Sequence, residues 1–156
     1  MKARITLEEY VAGGALMQLA TLTAGGAPQA CSVWYDFGFG PDVLRWISRH
    51  DRAHSLSIGD DPRVAGAIVS IPLEGLGQTV RGVSFTGHAQ ELPLEGIDRQ
   101  ITQFVARWPA ASGALDPIRL AAGQTPTRLY ELHIMQWVLF DEENFPDDPR
   151  QVVAAL

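Results

Sequence analysis

Five side chains crowd one short stretch in types and spacing suited to binding an anion: Ser48, Arg49, His50, Arg52 and His54, within WISRHDRAHSLSIGDDPRVAGAIV from Trp46 to Val69. An apolar run stops at Ser48, and the pattern predicts a short helix over 51–58 that ends at Gly59. A strand that hands over to a helix in this way brings a hydroxyl, unpaired backbone N–H groups and the positive end of the helix dipole to one point. Arg49 and Arg52, three residues apart, converge there if the turn is tight, and His54 lies one helical face further on. A phosphate would be well held. The same residues admit a plainer arrangement, in which Asp51 caps the helix and the arginines pair in solvent with Asp60, Asp61 or a glutamate. A metal is a third reading, because His50 and His54 stand four apart; against it, flanking arginines repel a dication and no carboxylate triad accompanies them.

These residues need a scaffold, and the flanking sequence supplies a β-rich one. A first helix is expected over 5–13, with Thr6 as its cap, Glu8 and Glu9 against the helix dipole and Gly13-Gly14 as its stop. LMQLATL (16–22) and QACSVWYD (29–36) read as a hairpin, because Gly25-Gly26 between them adopts positive φ without steric cost. VLRWIS (43–48) and RVAGAIVS (63–70) are the next two strands, on either side of the basic helix. VRGVSFTGHAQEL (80–92) alternates cleanly, Val83, Phe85, Gly87 and Ala89 on one face and Ser84, Thr86, His88 and Gln90 on the other. A helical insert over 94–122 follows, first an apolar stripe from Leu94 to Trp108 that Pro109 stops, then a short second helix. RLYELHIMQWVLF (128–140) returns to β character with a bend or bulge expected near Met135-Gln136, and residues 141–156 are expected to be an irregular tail. The connections between the first three strands are too short for parallel crossovers. An antiparallel barrel of about six strands with peripheral helices, in one domain over 1–156, is the expected architecture.

Composition narrows the function. Twelve Lys and Arg against 18 Asp and Glu give a net charge of -6, so a general electrostatic hold on nucleic acid or anionic lipid is disfavoured and any anion site must be local. Cys31 is the single cysteine, which excludes an intrachain disulfide and a thiolate cluster and fits a reducing cytoplasm. No apolar stretch approaches the length that crosses a bilayer, and the charged N-terminus lacks a signal peptide's apolar core. There is no G-x-S-x-G elbow and no Walker-type loop. Cys31 has no adjacent base, and His133 and His88 lie on strands where a structural or solvated role suffices.

Taken in order, QACSVWYD, a glycine-containing turn, VLRWIS and RHDRAHSLSIGDDPRVAGAIV resemble the FMN-binding split-barrel family, the group similar to pyridoxamine 5'-phosphate oxidase. RGVSFTGHAQEL extends the resemblance, and LYELHIMQWVLFDEENF continues it more faintly. What the resemblance implies is a homodimer with two FMN sites in clefts between the subunits; the acidic net charge argues separately against a nucleic-acid or membrane partner. By position, Ser48, Arg49, Arg52 and His54 would hold the FMN phosphate, and Val33, Trp34, Trp46 and Ile47 would line the isoalloxazine ring. Trp137 and Arg150 would come from the partner chain. Where the family usually places a lysine this chain has His54, only partly charged near neutral pH. The implied function is an FMN-dependent oxidoreductase acting on a small molecule. The alternative on the same barrel is a non-catalytic dimer that binds or senses a flavin, pyridoxal phosphate or haem, the last with His50, His54 or His88 as ligand. The acidic tail DEENFPDDPRQ argues against a phosphorylated substrate, since it offers only Arg150.

Overall fold

Alternating burial along the strands curls one antiparallel sheet around its own apolar face. The computed structural model describes residues 1–156. Its strands are β1 (Leu16–Leu22), β2 (Pro28–Trp34), β3 (Asp36–Gly38), β4 (Val43–Arg49), β5 (Arg63–Ile68), β6 (Arg81–Glu91), β7 (Thr127–Asp141) and β8 (Arg150–Ala154). Its helices are α1 (Lys2–Gly13), α2 (Ala53–Asp60), α3 (Asp98–Arg107) and α4 (Pro117–Ala121), with a single 3-10 turn at Pro109–Ala111. The sheet runs β2-β1-β5-β6-β7-β4-β3, with β8 added to β7. The expected antiparallel split barrel with peripheral helices is therefore the fold observed. No helix is long and apolar enough to cross a membrane.

The main core fills the barrel. Met17, Leu19, Leu44, Trp46, Phe85, Tyr130, Leu132 and Trp137 all belong to it, and in β6 the expected face, Val83, Phe85, Gly87 and Ala89, is the buried one. A second, smaller core lies outside the sheet, where Ile101, Phe104, Leu115 and Leu120 of the helical insert pack against Leu92 and Leu129. β7 carries the geometry between the two. Thr86 of β6 faces Gln136 and Gly87 faces Ile134, so Met135 is the bulged residue, as the sequence predicts. The bulge marks a change of partner: β7 pairs with β4 up to His133 and with β8 from Gln136 onward.

Three sequence expectations are corrected. α1 starts at Lys2 rather than near residue 5 with Thr6 as its cap, because Arg4 holds the first turn down with Glu8 at 2.6 Å and with both carboxylate oxygens of Asp42 at 2.7 Å. The tail is not wholly irregular, since Arg150–Ala154 forms β8. Phe37 and Gly38, expected in the turn that follows the 29–36 strand, form with Asp36 a short strand on β4. Asp42, with its side chain fully buried, ties these ends together: it also accepts from Trp137 Nε1 at 2.8 Å and from the Leu156 amide at 3.3 Å. Burial works against its charge, but the hydrogen bonds from Arg4, Trp137 and Leu156 prevail and hold its carboxyl below the usual range.

Candidate functional site

The two ends of the sheet path, β2 and the β4-β3 pair, are not hydrogen-bonded to each other. β3 covers β4 only over Val43–Arg45, so the far half of β4, Trp46–Arg49, has a partner on its β7 side alone. The candidate site is built along this open seam. Successive β4 residues point to opposite faces, and that alternation divides the expected residues into two groups.

On the inner side, Ser48 Oγ lies 2.9 Å from His54 Nε2. His54 belongs to the first turn of α2, whose N-cap residue, Arg52, is extended (φ -71, ψ 151), and no side chain caps the helix. The first-turn amides are thus open to an acceptor. Burial lowers the His54 pKa below its ordinary value, and the nearby Arg52 charge lowers it further. Arg52 itself is exposed. Ser48, His54, Arg52 and the helix tip therefore do meet. Arg49 does not join them: it sits on the opposite face and spans Asp51 with two bonds of 3.1 Å in full solvent. The plainer reading is met only in that Arg49 pairs at the surface: its partner is Asp51 rather than Asp60, Asp61 or a glutamate, and Asp51 does not cap α2. His50 precedes the helix and does not share a face with His54, so the i, i+4 metal pair is not formed.

On the outer side, Ile47 and Trp34 line an entirely apolar cavity of about 280 Å³ with Phe104, Trp108, Ala110, Ala111 and Ala114. The Trp34 and Trp108 rings are 5.4 Å apart and tilted by 55°. Trp34 is 59% exposed, which is unusual for a large indole, whereas Trp108 is fixed by its Nε1 donating to Tyr35 O at 2.9 Å. Arg107 anchors the same corner, lying over the Tyr35, Phe37 and Trp108 rings and donating to the Gly14 carbonyl. Sequence reading missed the insert's share of this wall. The only signal was Trp108 closing the apolar stripe directly before Pro109.

The other expected ring-lining residues are placed differently. Val33 is half-buried on the inner side of β2 against the main core. The Trp46 indole is fully buried and stacks on Tyr130 at 5.5 Å, its Nε1 without a partner. Trp137 is wholly enclosed in its own chain's core, bonded to Asp42 and edge-on to Phe85 at 5.8 Å. A side chain so enclosed does not reach a neighbouring chain, and its expected place in a partner's cleft is corrected. Arg150 is exposed at the start of β8.

Behind α2 lies a larger, polar cavity of about 660 Å³, lined among others by His50, Ser55, Gln90, Glu91, Arg128 and Tyr130. Tyr130 donates to Glu91 Oε1 at 3.0 Å, and burial is the main reason its phenol is pushed up to about 12.

Neither a protein-family model nor a curated protein matches this sequence. Solved structures match in shape. The haem storage protein HutZ from Vibrio cholerae superposes with a TM-score of 0.68 at 19% identity, over 90% of this chain and 95% of that one. An FAD-binding protein from Mesorhizobium loti gives 0.66 at 19% identity, over 85% and 90%. A protein of the pyridoxinephosphate oxidase family from Clostridium acetobutylicum gives 0.67 at 10% identity, over 98% and 94%. At these identities the likeness is one of fold, and the fold is the one the sequence resemblance implies.

Proposed function

We propose that this split barrel is an FMN-binding flavoprotein that serves as an oxidoreductase on a small molecule. One observation carries the reading: an uncapped helix tip beside Ser48, His54 and an exposed Arg52 lies on the same open strand segment as the apolar Trp34–Ile47–Trp108 cavity. The donor set fits a phosphate, because first-turn amides, a hydroxyl and a guanidinium all favour a dianion and no carboxylate faces the Ser48–His54 pair within hydrogen-bond distance. The all-apolar wall fits one side of a planar ring. The same fold in an FAD-binding protein and in a member of the pyridoxinephosphate oxidase family supports it.

Arg52 and the α2 amides would hold the phosphate, while Ser48 would donate to it and accept from His54. Trp34, Ile47 and Trp108 would exclude water from the ring and fix its plane. Once bound, the flavin supplies the hydride or electron transfer, and the protein supplies position and electrostatics. At about 280 Å³ the apolar cavity lies just below the usual range for a ligand site. With β2 a free edge and Trp34 exposed, a second copy of the chain completes the cleft, and the working form is a homodimer. A reducing, cytoplasmic setting fits the single cysteine.

A second reading, non-catalytic haem binding, has its own observation: His50 lines the 660 Å³ cavity beside Arg128, and HutZ, described as a haem storage protein, shares the fold. Titration with FMN, followed by flavin fluorescence, separates the two. Arg52→Ala should weaken FMN binding by about 1.5–3 kcal/mol, roughly ten- to hundredfold. Unchanged affinity in Arg52→Ala, or uptake of haemin with a Soret band lost in His50→Ala and no uptake of FMN, would remove the flavin reading.

A further inference from the structure

Ser48 carries the hydroxyl of the anion corner, and what it can offer a phosphate depends on His54. Its Oγ lies 2.9 Å from His54 Nε2. A neutral imidazole either accepts from that hydroxyl or donates to it, so the Ser48 hydrogen is free to turn toward the ring. An imidazolium only donates. Once His54 carries a second proton, Ser48 Oγ accepts from Nε2 and its own hydrogen is released toward the corner. The ring is half-buried, and burial together with the Arg52 charge holds it neutral in the free protein at pH 7 and above.

The charges around the pair leave room for that proton. On α2, Arg52 forms no ion pair, while Asp60 and Asp61 stand at the opposite end of the helix, Asp61 held by Arg63. On β4, Arg49 is paired with Asp51 and faces away from Ser48. β7 brings Arg128, the register partner of Ser48, whose Nη1 donates to the Thr125 and Thr127 carbonyls. β6 brings Glu91, which accepts from the Tyr130 hydroxyl at 3.0 Å, and His88, which lies near enough to Asp61 to act on it. β1 and β2, which also pack on α2, carry no charged side chain and only the Cys31 thiol to titrate. Arg52 and Arg128 set against Glu91 leave one net positive charge beside Ser48. A phosphate monoester brings nearly two negative ones near neutral pH. What is missing is one positive charge, and the ring hydrogen-bonded to Ser48 is the group that can acquire it.

We propose that FMN binding at this corner draws a proton from solvent onto His54, so that the charged ring donates to Ser48, Ser48 donates to the phosphate, and the charges match. The inference rests on the flavin reading above. No bond of the ligand is made or broken: the proton comes from water and buffer, and it returns there when FMN leaves. An opposite charge within about 4–6 Å raises a group's proton affinity about 10- to 1000-fold. Affinity for FMN therefore rises as the pH falls from about 8.5 to 7, a range in which the phosphate stays largely dianionic. A corner of fixed charges has no such slope.

Isothermal titration of the full chain with FMN at pH 7.5, in HEPES and again in Tris, counts the protons taken up, because the two buffers release them with different heats. The wild type should take up about half to one proton per FMN, and its Kd should weaken roughly two- to tenfold from pH 7.5 to 8.5. His54→Gln, which keeps a donor for Ser48, should take up none and show a flat Kd over that range. Should that variant not fold, imidazole proton NMR of the wild type decides: one of the four histidines moves to its charged position as FMN fills the site. FMN binding without proton uptake, uptake that persists in His54→Gln, or no histidine changing its charge would overturn this inference and leave the flavin reading standing. No FMN binding at any pH would overturn both.

Discussion

At the scale of single residues, His54 decides how the anion corner responds to pH. Its ring is held neutral by burial and by Arg52, so its folded pKa lies below the unfolded value of 6.5. Above that value the ring is neutral in both states, and the stability it contributes is whole. As the pH falls through 6.5 toward the folded value, the unfolded chain takes up a proton that the fold resists, and stability is lost. The melting temperature should therefore drop between about pH 7 and pH 5, and His54→Gln should flatten the drop, as thermal scans across that range will show. Arg49 illustrates the opposite case. Its pairing with Asp51 lies at the surface and is screened by solvent, and Arg49→Ala should leave the urea-unfolding midpoint unchanged.

At the scale of elements, two packing points hold the strands in the register that the site requires. Gly87 sits opposite the β7 bulge, where an added Cβ would collide with the His133 carbonyl and the Leu132 side chain. Gly87→Ala should cost about 1–3 kcal/mol in urea unfolding, because backbone cannot give way as a flexible side chain would. Asp42 joins α1, β7 and the chain end through one buried carboxylate. Asp42→Asn leaves Arg4 with Glu8 as its one carboxylate partner and should cost about 1.5–3 kcal/mol in the same assay. The strands were legible in the sequence wherever alternation or a glycine turn marked them: β1 matches its expected bounds, and β6 matches its expected faces. β3 and β8 were not, since strands of three and five residues carry little periodic signal and exist because β4 and β7 offer an edge to pair with.

At the scale of the whole molecule, the open seam governs what the barrel can do. β2 is an edge strand with no fully buried residue, and Trp34 stands out from its end. Unprotected edges of this kind are normally covered, and the homodimer proposed above covers this one. Sedimentation velocity should find two copies per particle. If Trp34 lies in that interface, Trp34→Asp should shift the particle to one copy and weaken FMN binding together; a monomeric wild type that still binds FMN would place the whole cofactor on one chain.

By itself the sequence determined the class of sheet, the basic corner after the third expected strand and the bulge near Met135. These features are local: each depends on residue types within a few positions of one another, where periodicity, capping and charge spacing act directly. Only the tertiary structure decided that Arg49 faces away from Ser48, that Trp46 and Trp137 are enclosed, and that Trp108 from the helical insert meets Trp34. Those outcomes follow from which edge each strand pairs with and which face a distant helix covers. Spacing along the chain does not encode them, because they arise between residues dozens of positions apart that compete for the same buried volume.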